Sequence, residues 1–576
     1  MREDRLFEIL GTTTDTRMNP TGTWRYFRPV IADRQPPCAA VCPAGNNIRE
    51  FVQLAAEKDF HAALAAVKKE NPLPSTCGRV CHHPCTANCS RNGVDSPLAV
   101  NLIERKLGDM VQKHSACLPA PRAATGKTVA VVGSGPAGLA WAYHAALLGH
   151  TVTIFESESA PGGMLRWGIP AYRLPRKKLD GDLHFIDTLG IELRTNHPIQ
   201  DLKELDGYDA VCLALGAHAS RRLDIPNQDM PQVWGGLSFL RAVNSGDAPD
   251  TGKRVIVIGG GNTAMDCARA AMRLGAKATV CYRRTRGDMP ALPDEIAEAE
   301  AEGVAFEFQV MPSGIDGKAP FVTVEFTRTR MGEPGPDGRC RPEAIPGSKF
   351  ELDADTVITA LGEMPETGWL PAEFIAKAGA LSADPITCLV NTTARSGLFA
   401  AGDASAWGGR TVSHAIGAGK RAAIAMDIFL NGEMESAQDI LARITVGDTG
   451  VLSSRMYRDG LPQAPVAVVA ALDINKAHVL KTAPVAIKHL DAAERMTGFD
   501  EVNMGWSEDD AAAEAGRCMR CGSCTSCGTC LLFCPDISVI QGADGRPDFD
   551  SEYCKGCGIC LRECPRGGIV LVEEEK

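Results

Sequence analysis

The residues with the most chemistry to offer are cysteines. The chain has 22 of them, and sixteen fall in tight groups toward its two ends. The first group runs Cys38-x3-Cys42-Pro43, then Cys77-Gly-Arg-Val-Cys81-x3-Cys85-x3-Cys89. The second opens with Cys518-x2-Cys521 and continues as Cys524-x2-Cys527-x2-Cys530-x3-Cys534-Pro535. Twenty residues on, the last run repeats as Cys554-x2-Cys557-x2-Cys560-x3-Cys564-Pro565. Thiolates at such spacings ligate iron–sulfur clusters. Zinc is the competing chemistry: the C-x3-C spacings fit it poorly without excluding it, and the duplicated run fits it less well still. The opening, MREDRLFEIL, is charged and has no apolar leader core. A cytoplasmic, reducing setting is therefore expected, where clustered cysteines mark metal or redox centres rather than disulfides. The other six (Cys117, Cys212, Cys267, Cys281, Cys340, Cys388) are scattered and read as buried spectators.

The second chemistry is dinucleotide binding. An apolar strand from Thr128 turns through Gly133-Ser134-Gly135-Pro136-Ala137-Gly138 into a run of helix formers ending at Leu148. A second strand, Thr151 to Phe155, ends in Glu156, 23 residues after Gly133. Gly133 permits the turn, Gly135 lets backbone approach a pyrophosphate, and Gly138 lets helix and strand close up. The helix N-terminus faces the anion, and Glu156 can accept ribose hydroxyls. The loop Pro161-Gly162-Gly163-Met164-Leu165-Arg166-Trp167-Gly168-Ile169-Pro170 follows, with glycines that let backbone lie against a flat ring.

The pattern recurs. A strand from Lys253 to Ile258 leads into Gly259-Gly260-Gly261-Asn262-Thr263-Ala264-Met265-Asp266 and a helix to Leu274. The next strand, Ala278 to Tyr282, ends in Arg283-Arg284 rather than an acid. Guanidinium groups there pair with a 2′-phosphate that an acid would repel, so NADP is expected over NAD. Further on, Asp355 to Gly362 reads as a buried strand ending in a glycine turn. Gly397 to Gly402 is another strand, followed by Asp403, and Thr411 and Val412 open a small-residue helix.

The frame that must hold these groups is large. At 576 residues the chain should form about four domains. Net charge is −11, which argues against a general nucleic-acid surface. No apolar run reaches the ~18 residues of a membrane span. The expected fold class is multidomain α/β. A helical iron–sulfur domain spans 1–120. A flavin domain spans 125–250 and 361–430, with a nicotinamide domain inserted at 251–360. A connector follows at 431–513, whose PVAVVAAL looks strand-like, and then an α+β cluster domain at 514–576.

The run CPAGNNIREF…NPLPSTCGRVCHHPC…C…IERK resembles the N-terminal domain of the glutamate synthase small subunit family, shared with dihydropyrimidine dehydrogenase and ferredoxin:NADP transhydrogenases. The resemblance covers roughly residues 30–430. It implies a helical domain with two 4Fe–4S clusters, one on Cys42, Cys81, Cys85 and Glu104, and another involving Cys38 and Cys89. It also implies that Gly163, Met164, Leu165, Arg166, Gly168 and Ile169 contact FAD. In similar two-domain flavin reductases, an aspartate placed like Asp403 contacts the ribityl chain, and the helix after it points at the flavin. The C-x2-C that the family places before Cys38 is missing here; the chain reads RPVIADRQPP. Cys518 and Cys521 have the look of that pair displaced to the other end. Two readings stand open: they complete a cluster with Cys38 and Cys89, or they are spectators.

Residues 520–570 resemble bacterial two-cluster ferredoxins. In that arrangement the fourth cysteine of each run serves the other run's cluster. One set is then Cys524, Cys527, Cys530 and Cys564, and the other Cys554, Cys557, Cys560 and Cys534. Flavin alone among these groups handles both hydride and single electrons, so it belongs between nicotinamide and iron. The expected protein is an NAD(P)H-dependent flavin and iron–sulfur electron-transfer subunit, hetero-oligomeric with a larger oxidoreductase or a ferredoxin. Glutamate synthase, 2-oxoacid:acceptor oxidoreductase and sulfite-reductase systems use similar chains. The alternative is a subunit of an electron-bifurcating ferredoxin:NADP transhydrogenase.

Overall fold

The computed structural model describes residues 20–110, 117–318, 321–335, 340–392, 395–405, 409–447, 450–460 and 466–574. The charged opening MREDRLFEIL lies outside them. Two parallel sheets dominate. In the first, the strand order is Leu398–Ala400, Ala210–Leu213, Thr128–Val132, Thr151–Phe155, Glu192–Arg194. Its central strands, TVAVV and TVTIF, are near-continuous apolar runs, as expected where helices cover both faces. The helix Pro136–Leu147 is apolar all round, and Trp141 and Tyr143 are fully buried in it. It packs on the long helix Val412–Leu430 so closely that a Cβ on Gly419 would meet the Ala137 carbonyl. That contact fixes the second part of the flavin domain on the first.

The second sheet has the order Ala305–Phe308, Lys277–Tyr282, Arg254–Ile258, Thr356–Thr359, Val233–Gly235. One boundary differs from the sequence reading. Thr356–Thr359 pairs with Arg254–Ile258, as an insertion ending at 360 requires. But Val233–Gly235 and the helix Gly236–Ser245 also belong here, because Val357–Thr359 exposes a parallel edge that only Val233–Gly235 fills. The nicotinamide unit therefore begins before 251. An antiparallel three-stranded sheet, Val310–Lys318, Phe321–Pro334 and Cys340–Ala354, extends it.

The N-terminal unit is helical: Ile48–Ala56, Phe60–Lys68, Pro74–Val80 and Val100–Gly108. The 24 residues from Asn47 resolve into two helices, with Asp59 capping the second through the Ala62 amide at 2.9 Å. Phe27–Ile31, expected in this unit, instead pairs antiparallel with Ile569–Glu573 of the cluster domain. Residues 466–472 of the PVAVVAAL run form no strand. They make single bridges, Val466 to Val446 and Val468 to Gln35, and so cross between units rather than joining a sheet. The connector is also a clamp: Val502 donates its amide to the Tyr172 carbonyl at 3.0 Å, and Glu501 pairs with Arg79 and Arg105. No helix among the described residues is long and apolar enough to cross a membrane.

Candidate functional site

The first turn is built as its glycines require. Gly133 is left-handed (φ 102°), and a Cβ there would press on the Ala214 carbonyl at 2.5 Å. A Cβ on Gly138 would run into the Gly133 carbonyl. Gly135 differs: a Cβ there meets nothing within 4 Å. Its space lies at the N-terminus of a helix that begins with Pro136, a residue pre-set for that position. An open cradle at unpaired helix amides suits a pyrophosphate. Gly162 (φ 128°) and Gly163 (φ 50°) then bring the loop back over it, with Gly163 close to the Gly135 backbone. Glu156 is buried and accepts from the Ser134 amide at 3.0 Å, the Ser134 hydroxyl and the Glu158 amide at 2.8 Å.

The remaining loop residues are held from behind. Leu165 is buried, and its carbonyl and that of Ile169 accept from Arg176. Arg166 donates to the Pro161 carbonyl at 2.6 Å and pairs with Asp180, while Met164 accepts from the Gly168 and Ile169 amides. Gly402 (φ 73°) packs on Ala137 in the first turn of the fingerprint helix. That places Asp403 at the same end. Burial raises the Asp403 carboxyl, and Arg410 opposes the shift. Thr411 caps Val412–Leu430.

In the second unit Gly261 has nothing nearer its would-be Cβ than Pro290 at 4.0 Å. Asn262 secures the rim by accepting from the Leu292 amide at 2.9 Å, and Ala264 is buried beneath. Arg283 is exposed, and Arg284 is half-buried with its Nε lacking a protein partner. Gly362 is left-handed (φ 101°), and its carbonyl accepts from the Arg221 amide. The next residue, Glu363, was not singled out from sequence. It accepts from Thr263 at 3.3 Å, its backbone carbonyl accepts from Arg410 at 2.7 Å, and burial raises its carboxyl. It thus joins the nicotinamide turn to the Asp403 region.

The thiols gather as well. Cys42 is pushed up to about 12, by burial first, then by Glu104 and Cys81, with Lys420 opposing. Cys85 is raised by burial and by Cys42, Cys81 and Glu104. Those four residues therefore lie near one another. Burial raises Glu104 to about 7, and its carboxylate accepts from Asn46 and Asn71, each at 2.8 Å. Cys77, outside the ligand set that the resemblance implies, is a fourth thiol beside Glu104, Cys81 and Cys42. Lys420, equally unmarked by motif, reaches in from the flavin domain to the Ala44 carbonyl at 2.6 Å and Glu70 at 2.8 Å. Ser413, in the first turn of the flavin-side helix, lies 3.5 Å from the Cys81 sulfur. Next to it His82 stacks on His414, ring centroids 5.0 Å apart.

At the other end Cys530 lies beside Cys527, Cys524 and Cys564. Cys560 lies beside Cys554 and Cys557, while Lys555 is near both Cys557 and Cys534. Crowded, buried thiols resist ionising alone; bound iron offsets that by taking them as thiolates. Among the described residues no three His, Cys, Asp or Glu converge as ligands of one metal ion. In a cube each cysteine binds its own iron, and convergence on a point is not needed.

Comparison with known proteins agrees with this anatomy. The chain belongs to the pyridine nucleotide-disulphide oxidoreductase family, which matches residues 127–421. Residues 31–116 match dihydropyrimidine dehydrogenase domain II, 4Fe–4S cluster, and 547–570 match a 4Fe–4S binding domain. The NADPH-Fe(3+) oxidoreductase subunit beta of Geobacter sulfurreducens is 35% identical over 90% of this chain and 79% of its own length. The NADP(+)-dependent formate dehydrogenase subunit beta of Moorella thermoacetica is 36% identical over 84% of this chain and 70% of its own. The glutamate synthase [NADPH] small chain of Escherichia coli is 36% identical over 58% of this chain and 76% of its own. The protein is an NAD(P)H-dependent oxidoreductase subunit for electron transfer, with FAD, NADP(H) and 4Fe–4S clusters as its cofactors.

Proposed function

We propose that the chain relays electrons between NADP(H) and a separate partner subunit docked at its ferredoxin-like end, in the manner its beta-subunit relatives suggest. The observation that carries the reading is Ser413. One residue of the flavin-side helix also touches Cys81, a cysteine of the first iron–sulfur site, at 3.5 Å. Flavin and iron are therefore held by the same few residues. Bound FAD supplies the exchange between hydride and single electrons. The rest is the protein's work. Gly133, Gly135 and Gly138 with Glu156 hold the FAD pyrophosphate and ribose, and the Gly163–Ile169 loop with Asp403 and Thr411 lines the flavin. Gly261 to Ala264 hold the NADP pyrophosphate, while Arg283 and Arg284 take its 2′-phosphate. Cys42, Cys81, Cys85 and Glu104 form the first cluster site, and the eight cysteines from Cys524 to Cys564 form two more. All 22 cysteines are free thiols, which suits a reducing compartment such as the cytoplasm.

The test is anaerobic addition of NADPH to the purified, cluster-loaded protein. The flavin absorbance should bleach, and reduced 4Fe–4S signals should appear in the EPR spectrum, in the absence of any partner. Flavin that bleaches while every cluster stays oxidised, with or without a captured partner, would sink the relay.

A further inference from the structure

Cys518 and Cys521 match neither iron–sulfur family description, yet they sit in a familiar turn. Three stretches share it: Cys518-Met-Arg-Cys521-Gly522, Cys524-Thr-Ser-Cys527-Gly528 and Cys554-Lys-Gly-Cys557-Gly558. In each, the third residue is left-handed: Arg520 (φ 52°), Ser526 (φ 53°) and Gly556 (φ 71°). In each, the glycine after the second cysteine is left-handed too, at 80°, 76° and 77°. A left-handed arginine costs roughly 1 kcal/mol or more and persists only where the surroundings enforce it. The gain is visible at sulfur. The Arg520 amide donates to the Cys518 sulfur at 3.4 Å, as the Ser526 amide does to Cys524 at 3.5 Å. The first cysteine pair thus has the backbone of a cluster-ligand turn.

This turn is not free at the chain's end; it is pressed into the N-terminal unit. Helix Glu508–Gly516 lays Ala511, Ala512 and Ala515 in one apolar cluster with Phe51, Val52 and Ile103, against which Cys38, Cys89 and Cys518 pack. Arg517 is buried against Glu514, Asp95 and the Ser96 carbonyl. Arg49 donates to both the Arg34 and Cys521 carbonyls, and Arg34 donates its amide to the Gly522 carbonyl at 2.8 Å. Cys38, Cys89 and Cys518 thus flank one apolar cluster, and Cys521 lies three residues on in the same turn. Cys38 has Cys518, Cys521, Cys85 and Cys89 around it. Cys518 and Cys521 in turn both neighbour Cys89.

We propose that Cys38, Cys89, Cys518 and Cys521 hold a fourth 4Fe–4S cluster, made jointly by the two ends of the chain, and that it links the helical domain to the ferredoxin-like one. This rests on the iron–sulfur reading above. The link follows from spacing. Cys38 is four residues from Cys42 and Cys521 is three from Cys524. At up to ~3.6 Å per residue, no more than ~14 Å and ~11 Å of backbone separates neighbouring sites. Each transfer moves one electron from the site behind to the site ahead, with no bond made or broken. NADPH is the ultimate donor.

The experiment counts iron and sulfide against FAD in anaerobically purified protein. The intact chain should hold about sixteen irons per FAD, four per cube. Cys518→Ala with Cys521→Ala should lose about a quarter, and so should Cys38→Ala. The triple variant should lose that same quarter and no more. No loss, or losses that add to half, overturns the shared site. In the double variant NADPH should still bleach the flavin at the usual rate, while freeze-quench EPR should show the ferredoxin-end clusters reduced at least tenfold more slowly. An unchanged rate overturns the link. If the double variant fails to retain FAD, Cys518→Ser decides. It leaves an oxygen ligand and should alter one cluster's Mössbauer and EPR signature; unaltered spectra overturn the site. An intact chain with fewer than about twelve irons per FAD strikes the electron-relay reading instead. Twelve irons, indifferent to these substitutions, strikes only the shared cluster.

Discussion

The two dinucleotide units share a backbone plan and differ in what waits at the end of the second strand. In the first, Glu156 is buried and bound to the turn it serves, through the Ser134 amide and hydroxyl. In the second, Arg283 is exposed and Arg284 half-buried, and the Nε of Arg284 has no protein partner. An acid held in place before the ligand arrives is preorganised, which favours tight, lasting attachment. Guanidinium groups left free to meet a phosphate suit a visitor that comes and goes. The contrast is that of a resident cofactor and a passing substrate.

The largest effect is expected from Glu156→Ala. Hydrogen bonds to a charged group contribute about 1.5–3 kcal/mol each, so losing two should weaken FAD binding by 10²-fold or more. FAD-to-protein ratio after dialysis reads this directly; a full complement of FAD would break the comparison at its first term. Next comes Arg283→Ala with Arg284→Ala. Losing charge-assisted pairing to the 2′-phosphate should lower kcat/KM for NADPH about a hundredfold. The value for NADH should stay within about threefold, and equal losses with both nucleotides would dissolve the distinction.

Glycine substitutions sharpen the point. Gly135→Ala and Gly261→Ala each add a methyl to open space. Thermal midpoints of the FAD-free protein should hardly move, while FAD and NADPH affinities should respectively fall about tenfold. Gly138→Ala should instead destabilise the fold, by about 1–3 kcal/mol, because its Cβ meets the Gly133 carbonyl. A stable Gly138→Ala protein, or a Gly135→Ala protein with undiminished FAD, would show the cradle misread. The smallest effect belongs to Ser413→Ala. A hydroxyl hydrogen bond of about 1 kcal/mol to the Cys81 thiolate should favour cluster reduction about fivefold at a fixed potential. Redox titration followed by EPR should show that advantage lost in Ser413→Ala and kept in Ser413→Thr.

What the sequence disclosed follows from how locally each feature is specified. The fingerprint strands and helices were legible to within a residue or so, because strand, turn and helix lie together in about thirty positions. Val233–Gly235 was not. It is three residues long, without periodicity, and its partner strand lies more than a hundred residues downstream. Phe27–Ile31 is a more extreme instance of the same problem. PVAVVAAL misled because an apolar run need not be a buried strand: here it crosses between units on single bridges, with only Val469 of its described residues buried. At the site, cysteines and glycines announce themselves by type and spacing. Glu363, Ser413 and Lys420 do not. Each acts by lying next to a residue from another unit, and nothing in its neighbours along the chain records that meeting.

The pairing of Phe27–Ile31 with Ile569–Glu573 has a consequence for how the protein is made. The ribosome delivers the first strand more than five hundred residues before the second. Until then the early strand has an open edge with no native mate, a state that invites wrong pairings. The cluster domain therefore matures last, and a ribosome that stalls late should leave a product with a loaded flavin fold and an unfinished terminal one.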